Sequence, residues 1–487
     1  MQRHLTILII AMMAINIGIH TFVAGWGIRG VSKGTSAQVS SGIVYNPTDV
    51  LFYGSLAQQA REGSMLFSDL YTTTPHRPLL LNPFFYVAGK LSAILSTSPI
   101  GVMNIMALLC IPVFMLSLEK IGVALGFDPR TRLVVQCLAM GGGGISWIRA
   151  LAYKTGIGPA LRVGWQGPDL FYFDLYPATA FTVYPLHAFS LTLLAVIGAI
   201  IVTSEDTTRP MGPKKHGLLA IAAALLAASR PYEPFLVLGS FSLLVILSHA
   251  LSLPAELRRR RHQILLTLAS AMVPFSIFSL WVSTQPVWNT FANDALNQQG
   301  NMDWFGGFLL LWMLAIPVIL FELPVLIRRP SGFFMIWSIG SALVLLVFSS
   351  GLTKLCGGLT IPLSMMGGYG LKRIFDLCPG RQVLIATTLI FLAMASPLMA
   401  HVRFAKHPMI VPSDLLHAAS AIRSDARIPV PTVLTDPETG EQLPGLAGMR
   451  VYCGHWSLTD RYSEKSAVLE EGGFASAPKI FRPLTPS

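Results

Sequence analysis

The residues best suited to chemistry stand in a long polar stretch that follows the first apolar run. It opens on Tyr45-Asn46-Pro47-Thr48-Asp49 and continues through Tyr53 and Gln58-Gln59-Ala60-Arg61-Glu62-Gly63. A second polar group, Tyr71-Thr72-Thr73-Thr74-Pro75-His76-Arg77, lies further along the same stretch. A carboxylate held beside a bilayer can take the proton of a hydroxyl nucleophile, and burial tunes its hold on that proton. Asp49 has a plainer reading too, because Thr48-Asp49 after Pro47 reads as a helix start with either residue near the N-cap. His76 and Arg77 read either as substrate contacts or as surface loop residues. Asp69 and Glu62 are expected to be solvated.

The elements that must position these groups are membrane helices. Hydrophobic residues make up 53% of the chain and charged ones only 12%, with a mean hydropathy of +0.59, which excludes an ordinary soluble domain. The fold class expected is an all-α polytopic membrane protein with about 11 transmembrane helices. They are placed near 5–25, 100–124, 132–153, 178–203, 215–229, 233–252, 263–284, 305–327, 331–350, 355–371 and 382–402. The first is expected to be a retained span, since a series of similar runs follows it. Residues 1–404 form the transmembrane domain and include a first loop, 26–99. Two interfacial helices are expected in that loop, one after Pro47 and one over Asn82–Ser96. Residues 405–487 are less apolar and richer in Pro turns, and read as a small C-terminal α/β appendage, with Val433-Leu434 and Val451-Tyr452 strand-like.

Charge fixes the expected orientation. The net charge of +11 comes from 35 Lys and Arg against 24 Asp and Glu. In a soluble protein it would suggest nucleic acid; here basic residues cluster in short connections, Arg258 to Arg261 and Arg328-Arg329 among them. No nucleic-acid partner is therefore expected. The positive-inside bias puts the N-terminus in the cytoplasm and the first loop and C-terminal segment outside a bacterial plasma membrane. The five cysteines are scattered, without a Cys-x-x-Cys pair or metal spacing, so neither a disulfide framework nor structural zinc is indicated. Gly141 to Gly144 lack the Lys-Ser/Thr of a phosphate loop and read as close helix packing.

Polar side chains at span ends are the remaining site candidates. Arg230, in Arg230-Pro231-Tyr232-Glu233, either holds a donor phosphate or snorkels and pairs with Glu233. His187 follows Tyr184-Pro185 at the head of a span and reads as a bundle-mouth contact or a satisfied helix-end histidine. Lys354 is a second phosphate candidate, while Arg149 and Arg162 read as anchors. In the tail, His455 and Trp456 could contact a sugar by hydrogen bonding and stacking; the plainer reading is a structural turn.

Asp49…Tyr53…Gln58…Glu62-Gly63, the Thr72-Thr73-Thr74-Pro75-His76 turn, Asn82-Pro83-Phe84-Phe85 and the Gly454-His455-Trp456 ending resemble a bacterial branch of the GT-C superfamily of membrane glycosyltransferases. The resemblance implies transfer of a sugar from a polyprenyl-phosphate carrier to a lipid or glycan acceptor hydroxyl, with Asp49 as base. The departing lipid phosphate then calls for cationic or N–H donors. The dolichyl-phosphomannose and lipid A aminoarabinose branches carry an Asp-Glu pair where this chain has Asp49-Val50, so donor and acceptor are not carried over. No metal or cofactor is assigned: a divalent cation is compatible with Asp49, but the sequence offers it no clear second ligand. The competing classes are a transporter or flippase, which would favour inverted repeats and charged mid-membrane helices, and a non-catalytic cell-envelope scaffold.

Overall fold

A computed structural model describes residues 2–31, 38–44, 47–144, 146–148, 151, 176–205, 211–289, 307–347, 355–404, 409–424 and 432–476. The chain divides into two compact units. One holds residues 1–20, 104–278 and 298–407; the other holds 21–103, 279–297 and 408–487. The first loop thus belongs with the C-terminal segment, and not with the spans.

The helices in chain order are α1 Gln2–Val31, α2 Pro47–Arg61, α3 Pro83–Ile94, α4 Pro99–Ala124 and α5 Pro129–Gly141. Next come α6 Pro177–Val183, α7 Pro185–Ser204, α8 Pro213–Ser229, α9 Glu233–Ala250 and α10 Ala255–Ser283. Then follow α11 Leu309–Ile327, α12 Gly332–Val347, α13 Thr360–Leu377 and α14 Gln382–Phe404. Among the described residues seven helices are long and apolar enough to cross a membrane: α1, α4, α7, α9, α10, α11 and α14.

Two expected spans are broken, each for a local reason. The run placed at 132–153 stops as α5 at Gly141, because Gly142 and Gly143 take positive φ of 75° and 63°, which only glycine adopts without strain. Gly141 itself serves packing: a Cβ there would come within 2.0 Å of the Ala393 carbonyl oxygen on α14. The run at 178–203 divides into α6 and α7 at Tyr184-Pro185, where Tyr184 leaves the helical region at φ −124°, ψ 84° and proline restricts the residue before it.

Between helices of the span unit the contacts are made by small residues and aromatic rings, as in membrane bundles. A Cβ on Gly370 would meet the Leu314 carbonyl at 2.4 Å, drawing α13 onto α11. Phe241 of α9 meets Phe333 of α12 at 5.7 Å, and Phe333 meets Trp337 at 5.5 Å. Arg260 and Arg261, expected in a connection, lie inside α10 and are buried. The Arg261 guanidinium donates to both Glu205 carboxylate oxygens at 3.0 and 2.9 Å and to Ser248 Oγ at 2.7 Å. It therefore acts as a structural ion pair and not as a solvated orientation signal. Asn16 of α1 donates to the Phe181 carbonyl at 2.7 Å, and Thr182 of α6 meets His401 of α14 at 2.9 Å, a buried polar lock that the hydropathy pattern concealed.

The second unit joins both ends of the chain. β1 (Gln38–Ser40) runs antiparallel to β2 (Ile410–Pro412), with Val39 opposite Val411. β3 (Thr432–Val433) runs parallel to β4 (Arg450–Val451), the small strands expected in the tail. Three further helices complete the unit: α15 Ser413–Ser424, α16 Pro437–Ala447 and α17 Tyr462–Ser476. Asp436 caps α16 by accepting from the Thr439 N–H at 2.9 Å, and Gly448 closes it at φ +66°.

Helix α2 lies between α3 and α16 at backbone contact. A Cβ on Gly89 of α3 would be 2.3 Å from the Ala57 carbonyl, and one on Gly445 of α16 would be 2.4 Å from the Leu51 carbonyl. The two loop helices therefore differ from each other. Val50, Leu51, Phe52, Leu56, Ala57 and Ala60 bury most of α2. By contrast α3 leaves Val87, Leu91 and Ile94 exposed, the apolar stripe of an interfacial helix.

Breaking the Glu205–Arg261 pair leaves a buried charge alone. Arg261→Ala should lower stability by roughly 3–5 kcal/mol, read as loss of thermal stability in detergent, and Glu205→Leu combined with Arg261→Met should recover most of it. An Arg261→Ala protein as stable as wild type would refute this role.

Candidate active site

Asp49 sits in the first turn of α2, which starts at Pro47, so it lies inside the helix and not at its N-cap. Proline at the first helical position is preorganised for that start. The helix end favours a negative charge there, and the side chain is half-buried. Four residues on, Tyr53 packs its ring against Phe85 of α3 at 5.1 Å and Phe52 at 6.1 Å. Helix α16 brings a second carboxylate to the same end of α2: Glu441 accepts a hydrogen bond from the Thr48 side chain, and the Asp49 charge acts on it. Burial, chiefly, with Asp49 and Glu438 adding to it, raises Glu441 above the ordinary carboxylate range, while Thr48 opposes the rise. No residue near Asp49 in sequence signalled Glu441.

The 67–76 segment is the frame on which the C-terminal segment is mounted. The Val451 N–H donates to the Leu70 carbonyl at 2.9 Å, Thr459 Oγ1 to the Tyr71 carbonyl at 2.9 Å, and the Tyr71 hydroxyl to the Glu441 carbonyl at 3.2 Å. Thr72 Oγ1 and Lys465 Nζ both donate to Asp460 Oδ1, the latter at 2.7 Å. Lys465 also stands over the Tyr452 ring at 4.8 Å, a cation–π contact.

Asp69 is fully buried, contrary to the solvated position expected of it, because it faces inward between buried Phe67 and Tyr71. Its Oδ1 accepts from the Tyr71 N–H at 2.8 Å, and among the described residues its buried Oδ2 has no hydrogen-bond partner. Desolvation raises its pKa to about 7, against smaller opposing effects of the Tyr71 N–H, Arg450 and Lys465. A carboxyl with no exposed surface cannot reach a substrate in this conformation, so Asp69 is part of the frame. Glu62 is exposed, as expected, and pairs with Arg423 of α15.

His76 is fixed by two bonds. Its Nε2 accepts from the Asp69 N–H at 2.9 Å and its Nδ1 lies 2.8 Å from the Thr74 carbonyl. A carbonyl cannot donate, so the proton is on Nδ1 and the ring is neutral; burial, above all, lowers its pKa. The ring also meets Trp288 edge-on at 6.3 Å. Arg77, next to it, is exposed. His455 is buried, accepts from the Ser457 N–H at 3.2 Å, and has its pKa driven to about 3 by desolvation. It therefore stays neutral, its ring against Tyr71 at 5.5 Å and Phe52 at 6.3 Å. Trp456 beside it is 47% exposed and free to stack on a ligand face.

Two further candidates lie in the span unit. Arg230 Nε pairs with Glu233 at 2.8 Å, and its Nη1 meets His187 Nε2. The His187 ring stacks on Tyr184 at 5.0 Å. The structure thus brings Arg230 directly onto His187 and also pairs it with Glu233, the neighbour that its plainer reading named. Lys354, Arg149 and Arg162 lie outside the described residues.

No protein-family model and no curated protein matches the chain. Solved structures do. ArnT from Cupriavidus metallidurans bound to undecaprenyl phosphate aligns at a TM-score of 0.54 with 12% identity, over 99% of this chain and 92% of that one. The Archaeoglobus fulgidus oligosaccharyltransferase tethered to an acceptor peptide aligns at 0.53 with 10% identity, over 92% of this chain and 64% of that one. The archaeal oligosaccharyltransferase AglB, in complex with an inhibitory peptide and a dolichol-phosphate, aligns at 0.50 with 12% identity, over 93% and 65%. The chain spans just under two thirds of the oligosaccharyltransferase chains. These likenesses establish the fold, the helical membrane architecture expected from the GT-C resemblance.

The frame around Asp69 yields a pH dependence. A carboxyl whose folded pKa of about 7 exceeds its ordinary 3.8 favours folding when protonated. That contribution is complete below 3.8 and is lost as pH rises toward 7. Asp69→Asn mimics the protonated form, so it should melt above wild type at pH 8 and converge on it toward pH 4. A difference that does not change with pH would contradict the burial of an uncompensated carboxyl.

Proposed function

We propose that this protein is a membrane glycosyltransferase that moves a sugar from a polyprenyl-phosphate donor to an acceptor hydroxyl. The observation that carries the reading is the fold likeness to ArnT over nearly the whole of both chains, in a structure bound to undecaprenyl phosphate. A fold hosts many functions, so the residues must supply the chemistry. Asp49 is half-buried at the head of a helix, with a second carboxylate beside it from the tail.

In the proposed reaction the acceptor oxygen attacks the anomeric carbon. The bond from that carbon to the phosphate oxygen breaks, its electron pair leaves with the lipid phosphate, and the hydroxyl proton passes to Asp49. Arg77, exposed in the same unit, is proposed to meet donor phosphate charge, and exposed Trp456 to stack on a sugar face. His76 and His455, neutral and held by local bonds, support the loop in place of exchanging protons. Arg230 is held by Glu233 and His187, and its first role is to order the head of α9. The basic connections support a plasma-membrane protein with its N-terminus in the cytoplasm and Asp49 on the opposite side.

Purified protein offered a panel of polyprenyl-phosphate sugars with a cell-envelope lipid extract should release free polyprenyl phosphate from at least one donor. Asp49→Asn should fold normally and lose turnover by about 10²-fold or more. Turnover undiminished in Asp49→Asn would remove Asp49 as base. Release from no donor, with wild type and variant both restoring a deletion strain, would point to a scaffold.

A further inference from the structure

Asp49 and Glu441 come from opposite ends of the chain, and packing brings them together. Gly54 and Gly445 allow α2 and α16 to touch through their backbones: a Cβ on Gly54 would stand 2.8 Å from the Gly445 carbonyl. At the other side of α16, a Cβ on Gly440 would collide with the Cys453 carbonyl at 1.9 Å. The helix is thus clamped from two directions, and the Tyr71 hydroxyl holds the backbone carbonyl of Glu441 itself at 3.2 Å. On the helix so clamped, Glu441 is acted on by Thr48 and by the Asp49 charge, both in the first turn of α2.

We infer that Glu441 is a positioning carboxylate for Asp49, forming with it an electrostatically coupled pair that sets the protonation of the base. This rests on the reading of Asp49 as the base. The titratable groups facing Glu441 are Asp49 from α2, Glu438 from its own helix, and Tyr71 from the loop that holds its backbone. Two carboxylates at one site oppose each other's ionisation, and the effect is reciprocal. A charged Glu441 therefore keeps Asp49 a stronger base than it would be alone, and that hold depends on the C-terminal segment being docked on α2. The link explains why a transfer enzyme would carry its C-terminal segment on the loop that bears its base.

Glu441→Gln preserves size and the oxygen that Thr48 contacts, so the packing of α16 should survive. Its acid limb in the pH profile of polyprenyl-phosphate release should move to lower pH, and its plateau rate should fall several-fold. Glu441→Asp, which restores the charge, should return the limb toward wild type. A lower plateau with an unmoved limb would mean a merely structural role and overturn the inference. A second readout needs no turnover: carbodiimide labelling of Glu441 in the full-length protein, followed by peptide mass spectrometry across pH. The labelling midpoint should fall in Asp49→Asn, because the neighbouring charge is gone. An unchanged midpoint would overturn the pair whatever the enzyme does. A shifted midpoint in a variant that still turns over would uphold the pair and overturn Asp49 as base.

Discussion

Backbone contact between α2 and α16 is the constraint on which the polar unit depends. At Gly54 and Gly445 the two helices leave no room for a side chain, so their separation is set by main-chain atoms and not by adjustable side chains. Interiors packed this closely transmit displacement and do not absorb it. A methyl group at Gly445 would push against the Leu51 carbonyl, two residues along the helix from Asp49. The geometry around the candidate base is therefore held by a segment at the far end of the chain.

Around that contact the charges separate into two kinds. Asp69, Asp460 and Lys465 lie in the frame that ties residues 67–76 to the C-terminal segment, with Arg450 acting on Asp69 through its charge. Their hydrogen bonds run within the frame or to backbone; Asp69 and Lys465 are buried, and partly buried Asp460 is engaged by both Thr72 and Lys465. Asp49 and Glu441 keep partial exposure at the head of α2. Exposure more than charge distinguishes a group that can meet a substrate from one that holds a loop in shape. The same distinction separates Trp456 from its buried neighbour His455.

Apolar periodicity and proline punctuation made most of the helices legible in the sequence. The runs over 215–229, 233–252 and 382–402 appear as α8, α9 and α14 with ends shifted by a few residues, and Pro47 marked the start of α2. The two broken spans were written in Gly142-Gly143 and in Tyr184-Pro185, but a hydropathy run averages over such short signals. Asp69 looks solvated in the sequence, as a single carboxylate in a polar loop does, and its burial arises only in the folded unit. Glu441 carries no signal in the sequence, because only long-range packing through Gly440 and Gly445 brings its helix onto α2. Arg261 was hidden for the same reason, since a basic run at a span end conceals which member turns inward to Glu205.

The fold shared with ArnT and the archaeal oligosaccharyltransferases gives a helical membrane scaffold, and the residues above suggest how this chain uses it. The direct test is an experimental structure of the full chain with a non-transferable polyprenyl-phosphonate sugar bound. The sugar-bearing end of the lipid should lie beside the Asp49 and Glu441 carboxylates, with Trp456 turned to the sugar. A donor bound with its sugar remote from both carboxylates would contradict the proposed site.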